Sequence, residues 1–201
     1  MTRPRDGRRR SLLRDTRRGQ AMVEMAMLLP VLMLIFLGAW TAANLIDDND
    51  AAAQATRAGA RLAAELGNGA SLGLTQQQVD RDIIDQVLPI VKPQLTNAQV
   101  SEIDIYQPNG CTGTTPFVSG TCPPNNGAYI PGEPIDVYSV TNYTASYPCT
   151  TCTYTLALRL QTHPSEAELG VRLVFTYTSP TLSFFTQTDS QYTVMRLVPT
   201  S

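Results

Sequence analysis

The chain has almost no histidine and little charge. His163 is its single histidine, charged residues make up only 16% of its 201 residues, and it has four cysteines. Histidine is the commonest metal ligand and a frequent acid–base group in catalysis. A metal site built from several histidines is therefore excluded, and a Ser-His-Asp triad would depend wholly on His163. These scarcities weigh against an enzyme, and we predict no catalytic residue, no metal and no cofactor.

Positive charge is concentrated at one end of the chain. Residues 1–19 contain eight arginines and two aspartates, a net charge of +6, whereas the remaining residues carry −8, so that the total is only −2. Such a block could bind nucleic acid, but beside a membrane span it sets the orientation of the span and meets anionic lipid. We therefore predict no nucleic-acid partner.

A long uncharged run follows the basic block. Residues 25–46 carry no charge, and their 22 residues would form a helix of about 33 Å, enough to cross a hydrocarbon core of about 30 Å. Arginine on one side predicts a cytoplasmic N-terminus and an extracytoplasmic C-terminal region. A secretory signal cleaved near Thr41–Ala43 is the alternative, although signal cores usually have about 7–15 residues.

The junction between leader and span has an unusual order. In RRGQAMVEMAML, two arginines precede Gly19, and four residues separate that glycine from Glu24, at the edge of the apolar helix. This order resembles a class III signal peptide, the type cut by prepilin peptidases on the cytoplasmic face. The resemblance implies cleavage between Gly19 and Gln20, which makes Glu24 the fifth residue of the mature chain.

Glu24 has a physical use in such an arrangement. Cleavage would create a positive α-amine on Gln20, and both charges lose water when subunits pack in a fibre. A carboxylate one turn into the helix can pair with the amine of a neighbouring subunit, because an unpaired buried charge is far more costly than a pair. The alternative is that Glu24 only extends into the cytoplasmic headgroups.

The helix is predicted to continue beyond the span. Residues 47–66 lack proline and are rich in alanine, with small residues at helical spacing, until Gly67 begins a glycine-rich break. The small face permits close approach of other helices, or it packs only on its own domain. The charged residues of this segment are expected to face water or headgroups: Asp47, Asp48, Asp50, Arg57 and Arg61.

These features together resemble the TadE-like proteins of tight-adherence (Flp-type) pilus systems. The resemblance covers about residues 17–66 and rests on the Gly19-x4-Glu24 start, Pro30 in the apolar helix and the triplet Gly59-Ala60-Arg61. A looser match lies in GVRLVFTYT and the terminal YTVMRLVP. The resemblance implies a structural minor pilin or pseudopilin, with other pilins, the assembly platform and prepilin peptidase as partners.

The rest of the chain predicts an extracytoplasmic α+β domain, with the long helix packed on a mostly antiparallel sheet, as in pilin-like proteins. Thr75 and Gln78 form a capping-box pattern for a short helix over 76–88, which Pro89 and Pro93 should end. Its buried face should comprise Val79, Ile83, Ile84, Val87 and Leu88. Alternating residues predict about five strands, over 100–106, 135–138, 154–160, 170–177 and 192–198.

The four cysteines, Cys111, Cys122, Cys149 and Cys152, all lie on the predicted outer side. An even count in an oxidising compartment favours disulfides, and of the three possible pairings we expect the local one, 111 with 122 and 149 with 152. A redox CxxC at 149–152 is the alternative, but that chemistry needs a helix N-terminus and a strand is predicted there. The cysteine spacing is also not a common zinc-ligand pattern.

The predicted organisation is a basic cytoplasmic leader (1–19), a transmembrane helix (20–46), its extracytoplasmic continuation (47–66) and an α+β domain (67–201). The function expected from it is a structural subunit for assembly of a tight-adherence pilus, located in the cell membrane. The alternative is a single-pass surface protein that binds a ligand through its Cys-rich loops and never enters a fibre.

Overall fold

A computed structural model describes residues 9–67, 69, 72–108, 129, 131–159, 168–181 and 184–197, with side chains from Gln20 onward. Contacts divide the chain into two units, Met1–Ala43 and Asn44–Ser201. The second unit holds the sheet and the hydrophobic core.

Helix α1 extends over Arg9–Leu66 and includes Pro30. The predicted helical continuation through residues 47–66 is therefore confirmed. Gly67 ends the helix with a positive φ of 58°, and its N–H donates to the Ala63 carbonyl at 2.9 Å. A left-handed residue at this position is accessible to glycine at little cost, which explains the sharp end after Leu66.

Helix α2 extends over Gln76–Gln94. The capping box is present: the Thr75 hydroxyl accepts from the Gln78 N–H, and the Thr75 N–H donates to Gln78 Oε1 at 2.8 Å. The predicted end at residue 88 is wrong, because Pro89 and Pro93 lie inside the helix. Both are on its exposed face, where carbonyls that lose a helical partner can bind water, while the apolar face continues to Val91.

Within the described residues, six strands form one antiparallel sheet: β1 (Ala98–Tyr106), β2 (Ile135–Thr141), β3 (Thr144–Ala145), β4 (Thr151–Cys152), β5 (Glu168–Thr178) and β6 (Thr186–Arg196). Their order is β3-β2-β1-β5-β6, and β4 also pairs with β2. The α+β fold is confirmed, and so are the strands predicted within β1, β2 and β5. Strand β6 begins six residues earlier than expected, at Thr186.

The strand predicted over 154–160 is wrong. A 3₁₀ helix occupies Leu156–Leu158, and Arg159 follows it with its side chain fully buried. Alternation in TYTLALRL imitates a strand, but the chain turns so that Arg159 reaches two buried carboxylates. A local pattern cannot anticipate such a distant ion pair.

The core lies between the two helices and the sheet. Gly59 of α1, Val87 of α2 and Val171 of β5 meet at one point, and the hydroxyls of Thr56 and Thr193 are 3.0 Å apart across α1 and β6. All five residues predicted to form the buried face of α2 are buried. The sheet adds Ile103, Ile105, Tyr138, Leu173, Phe175 and Tyr177.

Candidate functional site

The predicted assembly residue Glu24 is exposed and lies one helical turn from Gln20. Gln20 Nε2 donates a hydrogen bond to Glu24 Oε1 at 3.2 Å. The backbone of α1 passes through Gly19 without a break, and the surroundings of that glycine are outside the described side chains. The backbone nitrogen of Gln20 and the Glu24 carboxylate are thus one turn apart on the same helix. Residues four positions apart on a helix are close enough to interact.

The apolar part of α1 has little cover from the described residues. Leu37 is partly buried, but the other large aliphatic and aromatic side chains from Met22 to Trp40 are more than half exposed. Gln20–Leu66 is long and apolar enough to cross a membrane, with an 18-residue window of mean hydropathy 2.2 and none of that window buried. This segment is a candidate membrane span, as predicted from the uncharged run.

The triplet Gly59-Ala60-Arg61 is divided between the core and the surface. A Cβ on Gly59 would lie 2.5 Å from Val87 Cγ2, and Ala60 is fully buried, whereas Arg61 is exposed. The small face of α1 therefore packs on its own domain. Of the two interpretations of that face, packing within the domain has direct support here, and close approach of other helices there would require displacing α2.

Asp48 corrects one expectation about the polar face of α1. Asp47, Asp50, Arg57 and Arg61 are exposed as predicted, but Asp48 is buried. Its Oδ1 accepts from the backbone N–H of Thr96 at 3.1 Å, just after α2. Burial raises the pKa of Asp48, and hydrogen bonds from the backbone of Thr96 and Asn97 oppose that rise. The side chain therefore ties the start of the folded unit to the link between α2 and β1.

The cysteine expectation is supported for one pair. Cys149 and Cys152 form a disulfide, whereas Cys111 and Cys122 lie outside the described residues. The strand predicted after Cys152, which was the argument against a redox role, is absent. The only helical segment between Cys152 and residue 160 has three residues. So short a helix offers little N-terminal dipole to stabilise a thiolate.

A buried ion cluster was missed by the sequence analysis. Arg159 Nη1 donates to Asp80 Oδ1 at 2.6 Å, and Arg159 Nη2 donates to Asp136 Oδ2 at 2.9 Å, with all three side chains fully buried. The Tyr138 hydroxyl donates to Asp80 Oδ2 at 2.7 Å, and the Tyr154 N–H donates to Asp136 Oδ1 at 2.9 Å. One signal was available: Asp80 lies on the apolar face of α2, next to Val79.

The electrostatics of this cluster are those of a structural site. Two carboxylates face one guanidinium, and burial, followed by the nearby Asp80 charge, raises the pKa of Asp136 to about 6 despite its hydrogen bonds. Each carboxylate oxygen of Asp80 and Asp136 already accepts at least one hydrogen bond. Because the cluster is closed to solvent and hydrogen-bonded, it joins α2, β2 and the segment after β4 but presents no reactive group to a substrate.

Another buried carboxylate, Asp104, lies on the face of β1 opposite to the core residues Ile103 and Ile105. Asp104 accepts from Arg172 Nε at 2.6 Å, and that arginine is partly exposed. Burial raises the pKa of Asp104 to about 6, against the opposing effect of Arg172. Within the described residues, no group of three or more His, Cys, Asp or Glu side chains is arranged to hold a metal ion.

Comparison with known proteins finds a similarity for one segment of the chain. Residues 19–61 match the family model of TadE-like proteins. No curated protein and no solved structure matches the chain significantly. The matched segment contains Gly19, Glu24 and the whole 59–61 triplet, and it is the segment on which the sequence resemblance was based. It associates the N-terminal part of the chain with a family of structural, pilus-associated proteins.

Proposed function

From the TadE-like match of residues 19–61, we propose that this chain is a minor pilin-like or pseudopilin-like structural subunit of a tight-adherence pilus system. It would be inserted with its N-terminus in the cytoplasm and cut after Gly19 by a prepilin-type peptidase. The match carries the proposal, because it begins at the proposed cleavage site and includes the apolar helix.

The exposed apolar helix supports this proposal. Nearly all residues between Met22 and Trp40 are exposed in the described fold, whereas the small face around Gly59 is already occupied by α2. The apolar half of α1 is therefore the part of the helix available to lipid or, in a fibre, to neighbouring subunits. That division supports assembly through the apolar part of α1, with residues from Asp47 onward as the extracytoplasmic part.

The placement of Glu24 supports a role in setting the axial register between neighbouring subunits of a fibre. Its carboxylate interacts with the side chain of Gln20, the residue that would carry the new α-amine after cleavage. In a fibre, the amine of one subunit and Glu24 of the next would form a pair in a poorly solvated environment. Only one axial offset satisfies both charges, because an unpaired buried charge is strongly destabilising.

Processing is tested with Gly19→Val in a host that carries the peptidase. The variant should keep its leader and run heavier on a gel by the mass of the first 19 residues, and N-terminal sequencing of the wild type should start at Gln20. Gly38→Val is a matched control, because Gly38 lies on the same helix with open space around it, and it should be cleaved normally. A wild-type chain that keeps Met1 would contradict the proposal and favour a surface-anchored binding protein.

Assembly is tested with Glu24→Gln, which removes the charge but keeps the shape. The variant should be inserted and cleaved, yet its amount in sheared pili or in complexes with other pilins should fall relative to the wild type. Glu65→Gln, an exposed glutamate on the outer part of α1, serves as control and should assemble normally. Normal incorporation of the Glu24 variant would show that this residue only extends into the headgroups.

A further inference from the structure

The most exposed large apolar side chain of the described structure lies outside the apolar helix. Phe184 is 84% exposed, more than any large apolar residue of the candidate span. It belongs to the turn between β5 and β6, and its neighbour Phe185 packs against Tyr177 with ring centroids 6.4 Å apart. We call the described residues of this turn, 179–181 and 184–185, the hairpin tip. A single exposed apolar side chain is common on protein surfaces, so the meaning of Phe184 depends on where this turn lies in the molecule.

A short series of hydrogen bonds connects the hairpin tip to the start of the folded unit. Ser179 N–H donates to the Phe185 carbonyl, and Thr178 N–H donates to the Asn97 carbonyl. The preceding residue, Thr96, donates to Asp48 of α1. Asp48 is two residues, or about 3 Å of helix, beyond Ile46, where the apolar run ends. The hairpin tip is thus near the point at which α1 would leave a membrane.

The direction of β6 supports the same placement. Gln191 bonds to Asn49, and Thr193 bonds to Thr56, so residues of β6 with lower numbers lie beside the earlier part of α1. From Gln191 back to Thr186 is about 17 Å of strand, whereas from Asn49 back to Ile46 is about 4.5 Å of helix. Even an oblique strand therefore brings the hairpin tip to the level of Ile46 or past it.

The composition of the hairpin suits a headgroup layer. No charged residue occurs between Arg172 and Asp189, so immersion of the turn costs no charge desolvation. The layer between water and hydrocarbon is about 5–8 Å thick on each side, given a core of about 30 Å within a total of about 40–45 Å. Aromatic side chains are favoured at this depth.

We propose that the hairpin tip inserts Phe184 into the outer headgroup layer of the membrane that α1 spans. This second contact would hold the folded unit against the bilayer beside its anchor. The proposal rests on the proposed anchoring through α1. It commits to lipid as the partner because the hairpin tip is tethered next to the end of the span, and because an uncharged turn enters the headgroup layer without charge desolvation.

The test uses the full-length protein in phosphatidylcholine nanodiscs at one molecule per disc. Trp40 is the single tryptophan, so Trp40→Phe combined with Phe184→Trp reports on the hairpin tip alone. Its emission should shift to shorter wavelength, lipids brominated near the headgroups should quench it, and acrylamide should quench it less than it quenches free tryptophan. The matched control combines Trp40→Phe with Leu72→Trp, because Leu72 is 61% exposed and follows the far end of α1. The control should show none of these effects.

Three outcomes separate the explanations. If wild-type Trp40 is quenched by brominated lipid while the Phe184→Trp reporter behaves like the Leu72 control, anchoring stands and the hairpin proposal is overturned. Lipids brominated along the acyl chains test the anchor, because Trp40 lies about 9 Å of helix inside Ile46; if they do not quench Trp40, the anchoring has failed. If the reporter shifts only when several molecules share a disc, the partner is another subunit and the lipid proposal is overturned. Equal quenching with and without anionic phosphatidylglycerol is expected, since the turn has no charge.

Discussion

Arg159 illustrates how a single buried charge can organise a small domain. Its guanidinium joins Asp80 of α2 to Asp136 of β2. Its Cζ atom lies over the Tyr154 ring, 4.8 Å from the ring centroid. The cation offsets the charge of one of two carboxylates that would otherwise be buried without any positive charge beside them. Removing one member of such a cluster is more damaging than removing all of them, because the remaining charges stay in a poorly solvated site.

At the residue scale, we predict that Arg159→Met destabilises the protein by about 3–5 kcal/mol. Methionine replaces the aliphatic stem but leaves Asp80 and Asp136 without their cation. Denaturant unfolding of the full-length protein in detergent, followed by near-ultraviolet circular dichroism, measures the loss. The control is Arg57→Met on the exposed face of α1, which should change the free energy of unfolding by less than about 0.5 kcal/mol. Equal effects of the two substitutions would contradict the structural role of the cluster.

The two ends of α1 have different chemistry. Large apolar side chains dominate residues 22–40 and are mostly exposed, whereas alanine and glycine face the core in the part of the helix after Asn44. The small residues allow the helix backbone to approach α2 closely, and Gly59 marks the tightest point. Larger side chains at these positions would separate the helices and open the core.

At the element scale, we predict that Gly59→Val destabilises the protein by about 1–3 kcal/mol, the usual cost of overpacking. The first added carbon would already overlap Val87, so Val87→Ala in the same chain should recover part of the loss. Thermal unfolding of the single and double variants measures this coupling. Gly38→Val, with open space around it, should leave the folded unit unchanged. A double variant no more stable than Gly59→Val alone would show that the contact does not limit packing.

At the scale of the whole molecule, buried carboxylates determine how stability depends on pH. Burial raises the pKa of Asp104 and of Asp136 to about 6, and that of Asp48 also rises. A carboxyl group with a raised pKa binds protons more tightly in the folded state than in the unfolded chain. Its contribution to stability is fully present below the unfolded value near 3.8 and is lost as the pH rises through about 6.

We therefore predict that the free energy of unfolding increases as the pH falls from about 7.5 to about 4.5. Each of Asp104 and Asp136 contributes at most about 3 kcal/mol to this increase. Denaturant unfolding at a series of pH values measures the slope, and Asp104→Asn should reduce it because an amide does not titrate. A stability that is constant or falls over this range would contradict the burial of these groups as charged carboxylates.

The sequence by itself determined the features that depend on near neighbours. Charge over a few residues reveals the basic leader, and hydropathy reveals the apolar run. Short residue patterns likewise reveal the capping box at Thr75 and the strands within β1, β2 and β5. The Gly19–Glu24 spacing could likewise be recognised in the sequence, and the family match begins at the same glycine. Local patterns suffice in these cases because the physical cause is itself local: helix rise, strand alternation and side-chain capping.

Only the tertiary structure decided which polar residues are buried and where the small face of α1 packs. Arg159 lies 79 residues from Asp80, and Asp48 lies 48 residues from Thr96, so neither partner could be found from spacing. The same is true of α2, which continues past two prolines because distant strands cover its apolar face up to Val91. Burial is a property of the assembled core, and long-range contacts override the local preferences of charge, proline and alternation.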